Sequence, residues 1–192
     1  MTGILGRMAI VASLALAGGC ATAPQWEHYA AANRIESPEK GFTLQAPAGW
    51  RRSPGEVGDR VVLTADGTGI QQLVMGRFPL DKAFPLTKGK AGPETSPREL
   101  GERVLAELRA GAKGSTIELK SATETRIDGR PAFLLHLAER TGAGAQYERI
   151  VAGTHGQSRM FWASCRALAR YFFERARPVC EQAIGSVRAT GL

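Results

Sequence analysis

From residue 41 to residue 168 the chain alternates apolar and polar positions in short runs, broken by turn-forming residues. In GFTLQAPAGW, Phe42, Leu44 and Ala46 alternate with Thr43 and Gln45, which is the period-two signature of a half-buried strand. Pro47 cannot donate to a ladder and closes it. The same pattern predicts strands over residues 60–64 and 71–78, with Asp66-Gly67 as a hairpin signal. Four further runs, TIELKSATETRI, PAFLLHLAER, QYERIVAGT and SRMFWAS, are joined by Asp128-Gly129, TGAGA and HGQ. Connectors this short imply an antiparallel meander. Several runs are apolar on both faces: Phe133, Leu135 and Leu137 alternate with Leu134 and Ala138, and Met160 and Trp162 with Phe161 and Ala163. A sheet apolar on both sides needs cover on both sides.

Two helices are available to supply it. In SPRELGERVLAELRAG, Ser96 is an N-cap, Pro97 suits the first helical position and Glu99 completes a capping box. Leu100, Val104 and Leu108 mark one face, and Gly111 is the expected stop. A second helix is expected over about 167–188, with Phe172, Ala176, Val179, Ala183 and Val187 on one face. Pro178 kinks it or marks where its main part begins. The fold class expected is α+β, an antiparallel sheet of about six or seven strands with helices on both faces. Residues 80–95 form a long loop rich in Pro, Gly and Lys; such loops are often functional or disordered.

The N-terminus follows another pattern. Met8–Ala17 is an almost purely aliphatic run of about ten residues, the size of a signal-peptide core and well short of a bilayer span. Small residues then lead to a cysteine in Leu16-Ala17-Gly18-Gly19-Cys20, which resembles the bacterial lipobox. That resemblance implies cleavage before Cys20 and acylation of its sulfur. Two or three acyl chains, at about 0.8 kcal/mol per buried methylene, make a stable anchor where one chain is marginal. An ordinary secretory signal with an incidental cysteine is the alternative. Ala21 stands where an aspartate tends to mean inner-membrane retention, so the expected site is the outer membrane, facing the periplasm, if the host has two membranes. The expected layout is residues 1–19 signal peptide, 20–40 anchor and tether, and 41–192 a single domain. In the tether, WEHYAAANR is read as one or two helical turns with Trp26 and Tyr29 on one side.

Charge changes the picture only slightly. The formal net charge is +7, but the arginines are scattered among glutamates, as in RELGERVLAELR, so nucleic acid is not expected as a partner. Three cysteines become two once Cys20 is acylated. Cys165 and Cys180 are then expected to form a disulfide, with two buried thiols as the other reading.

The residues offer little catalytic pattern. His28 lies in the tether, His136 in an apolar strand and His155 in a turn. No two have the H-x-x-x-H spacing of a metal site. GQSRM around Ser158 lacks the second glycine of a nucleophile elbow. A Ser158–His136 or Ser164–His136 arrangement is conceivable but lacks an indicated carboxylate. The expectation is a non-enzyme without metal or cofactor; the alternative is a small envelope hydrolase or ligand-binding protein using the His136 neighbourhood. A surface for an envelope protein partner is expected in the loop, with Phe84 and Leu86 flanked by Lys82, Lys88 and Lys90. A solvated insertion is the competing reading. A pocket lined by Trp50 and Trp162 is a third possibility, with both tryptophans in the core as its alternative. The chain is expected to be monomeric.

Over residues 40–189 the order of elements resembles the PsbP-like family. The resemblance rests on Gly41-Phe42, Pro47, Gly49-Trp50, the Gly129–Pro131 spacing and Ser186. It implies an α/β/α sandwich around an antiparallel sheet, as in extrinsic photosystem subunits, a nuclear Ran-binding protein and many bacterial envelope lipoproteins. These residues are structural punctuation, so no catalytic set carries over, and a binding role is implied.

Overall fold

The computed structural model describes residues 25–31, 33–37, 40–54 and 60–192. The first strands are β1 (Glu27–His28), β2 (Asn33–Ser37), β3 (Phe42–Ala46), β4 (Arg51–Arg52), β5 (Arg60–Thr64) and β6 (Gln71–Pro79). Helix α1 (Pro97–Gly111) separates them from β7 (Thr116–Ile127), β8 (Arg130–Arg140), β9 (Gln146–His155) and β10 (Arg159–Leu168). Helix α2 (Phe172–Gly185) and β11 (Arg188–Ala189) end the chain. The main sheet is antiparallel, in the order β1-β4-β5-β6-β10-β9-β8-β7, and a smaller sheet runs β11-β3-β2.

Alternation located the long strands, and the turn residues explain their joins. Asp128 (φ 51°) and Gly129 (φ 74°) both take left-handed backbone in the two-residue β7–β8 turn, as a hairpin twisted this way requires. The Ser96 capping box is present, with Pro97 in the first turn. The main sheet holds eight strands rather than six or seven, because the two-residue β1 and β4 extend it. The strand over 42–46 leaves it for the smaller sheet.

Cover on both faces is as expected. Helix α1 packs over Phe133, Leu135, Leu137, Val151 and Met160. On the other face α2 and the small sheet enclose Leu63, Leu73, Met75, Phe161 and Ala163. Ser186 joins these layers: its hydroxyl accepts from the Gln45 N–H at 2.8 Å and donates to the Ala183 carbonyl at 2.7 Å. Cys165 and Cys180 are disulfide-bonded, with Cα atoms 6.1 Å apart. The second helix is shorter than 167–188, because β10 runs on to Leu168 and Tyr171 turns the chain at φ 75°. It continues through Pro178.

The tether expectation is corrected in part. Glu27–His28 and Asn33–Ser37 are paired strands, not helical turns. Trp26 is exposed, whereas Tyr29 is 4% exposed, so they share no face. The Tyr29 N–H donates to the Trp50 carbonyl at 2.9 Å, and its own carbonyl accepts from the Gly49 N–H at 2.7 Å. The packed fold therefore starts by Glu27 rather than near residue 41. Cys20 and the signal segment lie outside the described residues. Among those residues, no helix is long and apolar enough to cross a membrane.

Candidate functional site

Helix α1 packs mainly on β7, β8 and β9. On the same face, β5, β6 and β10 carry side chains that the helix leaves partly open. Register shows why they converge. Arg60 lies opposite Gly76, Gly76 opposite Trp162, Trp162 opposite Gly153, and Gly153 opposite Phe133. Residues directly opposite in adjacent strands share a face, so Arg60, Trp162 and Phe133 lie in one row across the sheet. Trp162 thus has a glycine opposite it on each neighbouring strand, Gly76 on β6 and Gly153 on β9. At Gly153 a Cβ would stand 2.8 Å from the Phe133 ring. Phe78 meets Trp162 edge-on, with centroids 6.3 Å apart, and the Arg60 guanidinium lies 5.7 Å from the Phe78 centroid.

The loop from residue 80 to 95 forms the wall of this row. Leu80 and Phe84 are both 3% exposed and belong to the core beneath α1. Phe84, expected on the partner surface, is therefore a core anchor: in a loop of Pro, Gly and Lys it is the aromatic side chain available to fill the space beside Met160 and Val104. Farther along, the Glu107 carboxylate accepts from the Leu86 N–H (2.8 Å), the Thr87 N–H (2.9 Å) and the Thr87 hydroxyl (2.8 Å). Burial acts to raise the pKa of Glu107, but these hydrogen bonds prevail and hold it below the ordinary carboxylate range. Fixed at Phe84 and at Glu107, the loop exposes Leu86 (58%) together with Lys82, Lys88 and Lys90.

Between the loop, α1 and the sheet lies a cleft of about 230 Å³. Its lining includes Phe78, Trp162, Met160, Val104 and Leu108, with Arg60, Lys82 and Glu107 as its charged members. Trp50 takes no part and packs in the core of the opposite face, 5% exposed. A larger groove of about 390 Å³ separates α1 from β7 over Gly101, Leu105, Leu119, Phe133 and Leu135. There Arg98 is paired with Glu102 at 3.1 Å, and Glu124 adds a second carboxylate to the lining.

Beyond the end of α1 the same face turns ionic. Glu139 accepts from Arg166 Nε (3.0 Å) and Nη2 (2.8 Å) and from Arg149 Nη2 (2.5 Å). Arg166 also stacks on Tyr147, 3.4 Å from the ring centroid. Sequence reading missed this cluster, although Glu139 continues the strand parity of buried apolar residues in Phe133-Leu135-Leu137-Glu139.

His136 lies on the opposite face. Its ring stacks on Phe173 at 5.3 Å, and Nε2 contacts Glu148 Oε2 at 2.5 Å. Ser164 belongs to the α1 face, because it pairs with Val151, which pairs with Leu135. A Ser164–His136 pair is therefore excluded by strand parity. Ser158 sits in the β9–β10 turn, its carbonyl accepting from the Leu80 N–H. His155 is held by the Thr95 carbonyl at 2.7 Å. Among the described residues there is no group of three His, Cys, Asp or Glu able to hold a metal.

No family model and no curated protein matches the chain. Solved structures do. The cyanobacterial PsbP of Synechocystis sp. PCC 6803 is similar with a TM-score of 0.58 at 15% identity, over 92% of this chain and 98% of that one. A point mutant of Mog1 gives 0.55 at 11% identity, over 82% and 95%. A protein of unknown function from Pseudomonas aeruginosa gives 0.52 at 13%, over 84% and 99%. At these identities the likeness is one of fold: the chain has the PsbP-like, Mog1-like architecture of an antiparallel sheet between helices.

Proposed function

We propose that this protein is a lipid-anchored, non-catalytic binding protein of the cell envelope, and that its 80–90 loop docks an acidic envelope protein. One observation carries the docking face. Phe84 in the core and Glu107 on α1 fix the loop, so that Leu86 stands exposed beside three exposed lysines. An apolar anchor within a charged rim, held on a rigid scaffold, suits a partner of opposite charge. The lipobox-like Leu16–Cys20 supports the anchor, and Ala21 supports the outer membrane in a two-membrane host. His136 is engaged by Glu148 and Phe173, which favours a structural role for it over a catalytic one. The β7 edge carries Glu118, Lys120, Glu124 and Arg126 and shifts register between Leu119 and Ser121. Charge and a bulge protect an edge strand against pairing, which supports a monomer.

Crosslinking in intact cells tests the docking face. A photocrosslinker at Leu86 is expected to capture a discrete acidic envelope protein. Replacing Lys82, Lys88 and Lys90 together with glutamate should reduce the capture about tenfold or more at unchanged protein level, because like charges then face each other. Capture that ignores the three charges contradicts this reading.

A further inference from the structure

The cleft beside the loop has the chemistry of a small-molecule site. Its volume, about 230 Å³, exceeds the roughly 150 Å³ that encloses benzene and falls short of a drug-sized pocket of about 300–1,000 Å³. The space suits one ring, or a short alkyl chain, bearing a small polar group. Phe78 and Trp162 are half-buried within the lining, so they keep apolar surface that neither α1 nor the loop covers. The lining also includes the half-buried Leu108 and the buried Met160 and Val104.

The charges are placed unevenly. Glu107 has its carboxylate occupied by the loop N–H groups of Leu86 and Thr87 and by the Thr87 hydroxyl. The Arg60 guanidinium lies over the Phe78 ring, 5.7 Å from its centroid, and Lys82 is exposed at the loop start. A guanidinium resting on an aromatic face keeps its edge N–H groups free of the ring. A cation is thus held beside an aromatic ring, and Lys82 adds a second cation to the lining.

We propose that this cleft binds a small amphipathic carboxylate, its ring or short alkyl part on Phe78 and Trp162 and its anionic group between Arg60 and Lys82. The inference does not need the lipid anchor, and it shares only Lys82 with the face proposed for an acidic partner.

The test is titration of the isotope-labelled protein with 3-phenylpropionate, followed by NMR at the Trp162 indole N–H, which a Trp162→Phe variant assigns. A saturable shift at that signal is expected. The neutral analogue 3-phenylpropanol should bind at least about tenfold more weakly, as should the acid with the Arg60→Gln/Lys82→Gln double variant, since charge-assisted hydrogen bonds are lost in both. Both substitutions are at solvent-accessible positions, and an unchanged spectrum elsewhere verifies the fold. The proposal is overturned if no saturable shift appears at tens of millimolar acid, if the alcohol binds as tightly as the acid, or if the double variant binds unchanged.

Discussion

Replacing Glu139 with glutamine is expected to lower the stability of the fold by about 3–5 kcal/mol, the cost of removing one partner from a buried ionic cluster. Glu139 is 9% exposed and faces two guanidinium groups, those of Arg149 and Arg166. Without its charge both cations are left with little compensation. Arg149 Nε already stands buried without a hydrogen-bond partner among the described residues, so the cluster has little capacity to reorganise. Burial pushes the Glu139 pKa up, but the hydrogen bonds of Arg166 and the charges of both arginines outweigh it, and the group titrates below its ordinary value. A carboxylate depressed in the fold contributes stability that is complete above its unfolded pKa, about 4.3, and is lost as pH falls through the lower folded value. Wild-type protein should therefore lose stability over that acidic range, and the glutamine variant should lack this component. A companion variant keeps the test informative if the Glu139→Gln protein fails to fold. Glu139→Leu, Arg149→Met and Arg166→Met together should be close to neutral or stabilising. Denaturant unfolding monitored by circular dichroism measures all three proteins. A Glu139→Gln variant as stable as wild type would contradict the assignment.

The second large effect concerns the disulfide. Breaking it with Cys165→Ala and Cys180→Ala should cost about 3 kcal/mol in the chain-entropy model for a loop of this length. In a chain of this size that lowers Tm by roughly 6–12 °C. The loss should concentrate in α2. Pro178 lies inside this helix, where it cannot donate to the carbonyl one turn earlier and costs about 3 kcal/mol relative to alanine. The bond from Cys180 to β10 holds the helix to the sheet just beyond that defect. Hydrogen exchange should therefore quicken in 172–185 before it quickens in β8 and β9. An unchanged Tm, or loosening spread evenly over the sheet, would contradict this.

The parts of this fold that are legible in the sequence are those with a local code. The alternation in residues 60–64 and 71–78 and the capping box at Ser96 and Glu99 act over a few residues, and the elements form where that code places them. Strands β1 and β4, two residues each, carry no period of their own. They exist because Tyr29 and Trp50 bury their rings in the core and bring Glu27 and His28 beside Arg51 and Arg52. Phe84 shows the limit from the other side. Loop composition argues for the surface, but a lone aromatic beside an incompletely filled core goes inward. Lys82, Leu86, Lys88 and Lys90 stand out in the sequence and are exposed. Their neighbours Arg60, Phe78 and Trp162 come from three separate strands, and only sheet register places them in one cleft. Phe78 and Trp162 share a face through that register, which no pattern within a single strand encodes.

The whole reading of location depends on the sulfur of Cys20. Intact-mass spectrometry of the protein purified from the membrane fraction of its own host addresses it directly. The account predicts a chain beginning at Cys20 and heavier than that polypeptide by a diacylglyceryl group, with or without a further acyl chain. A chain that begins elsewhere, or begins at Cys20 with no added lipid mass, would contradict it.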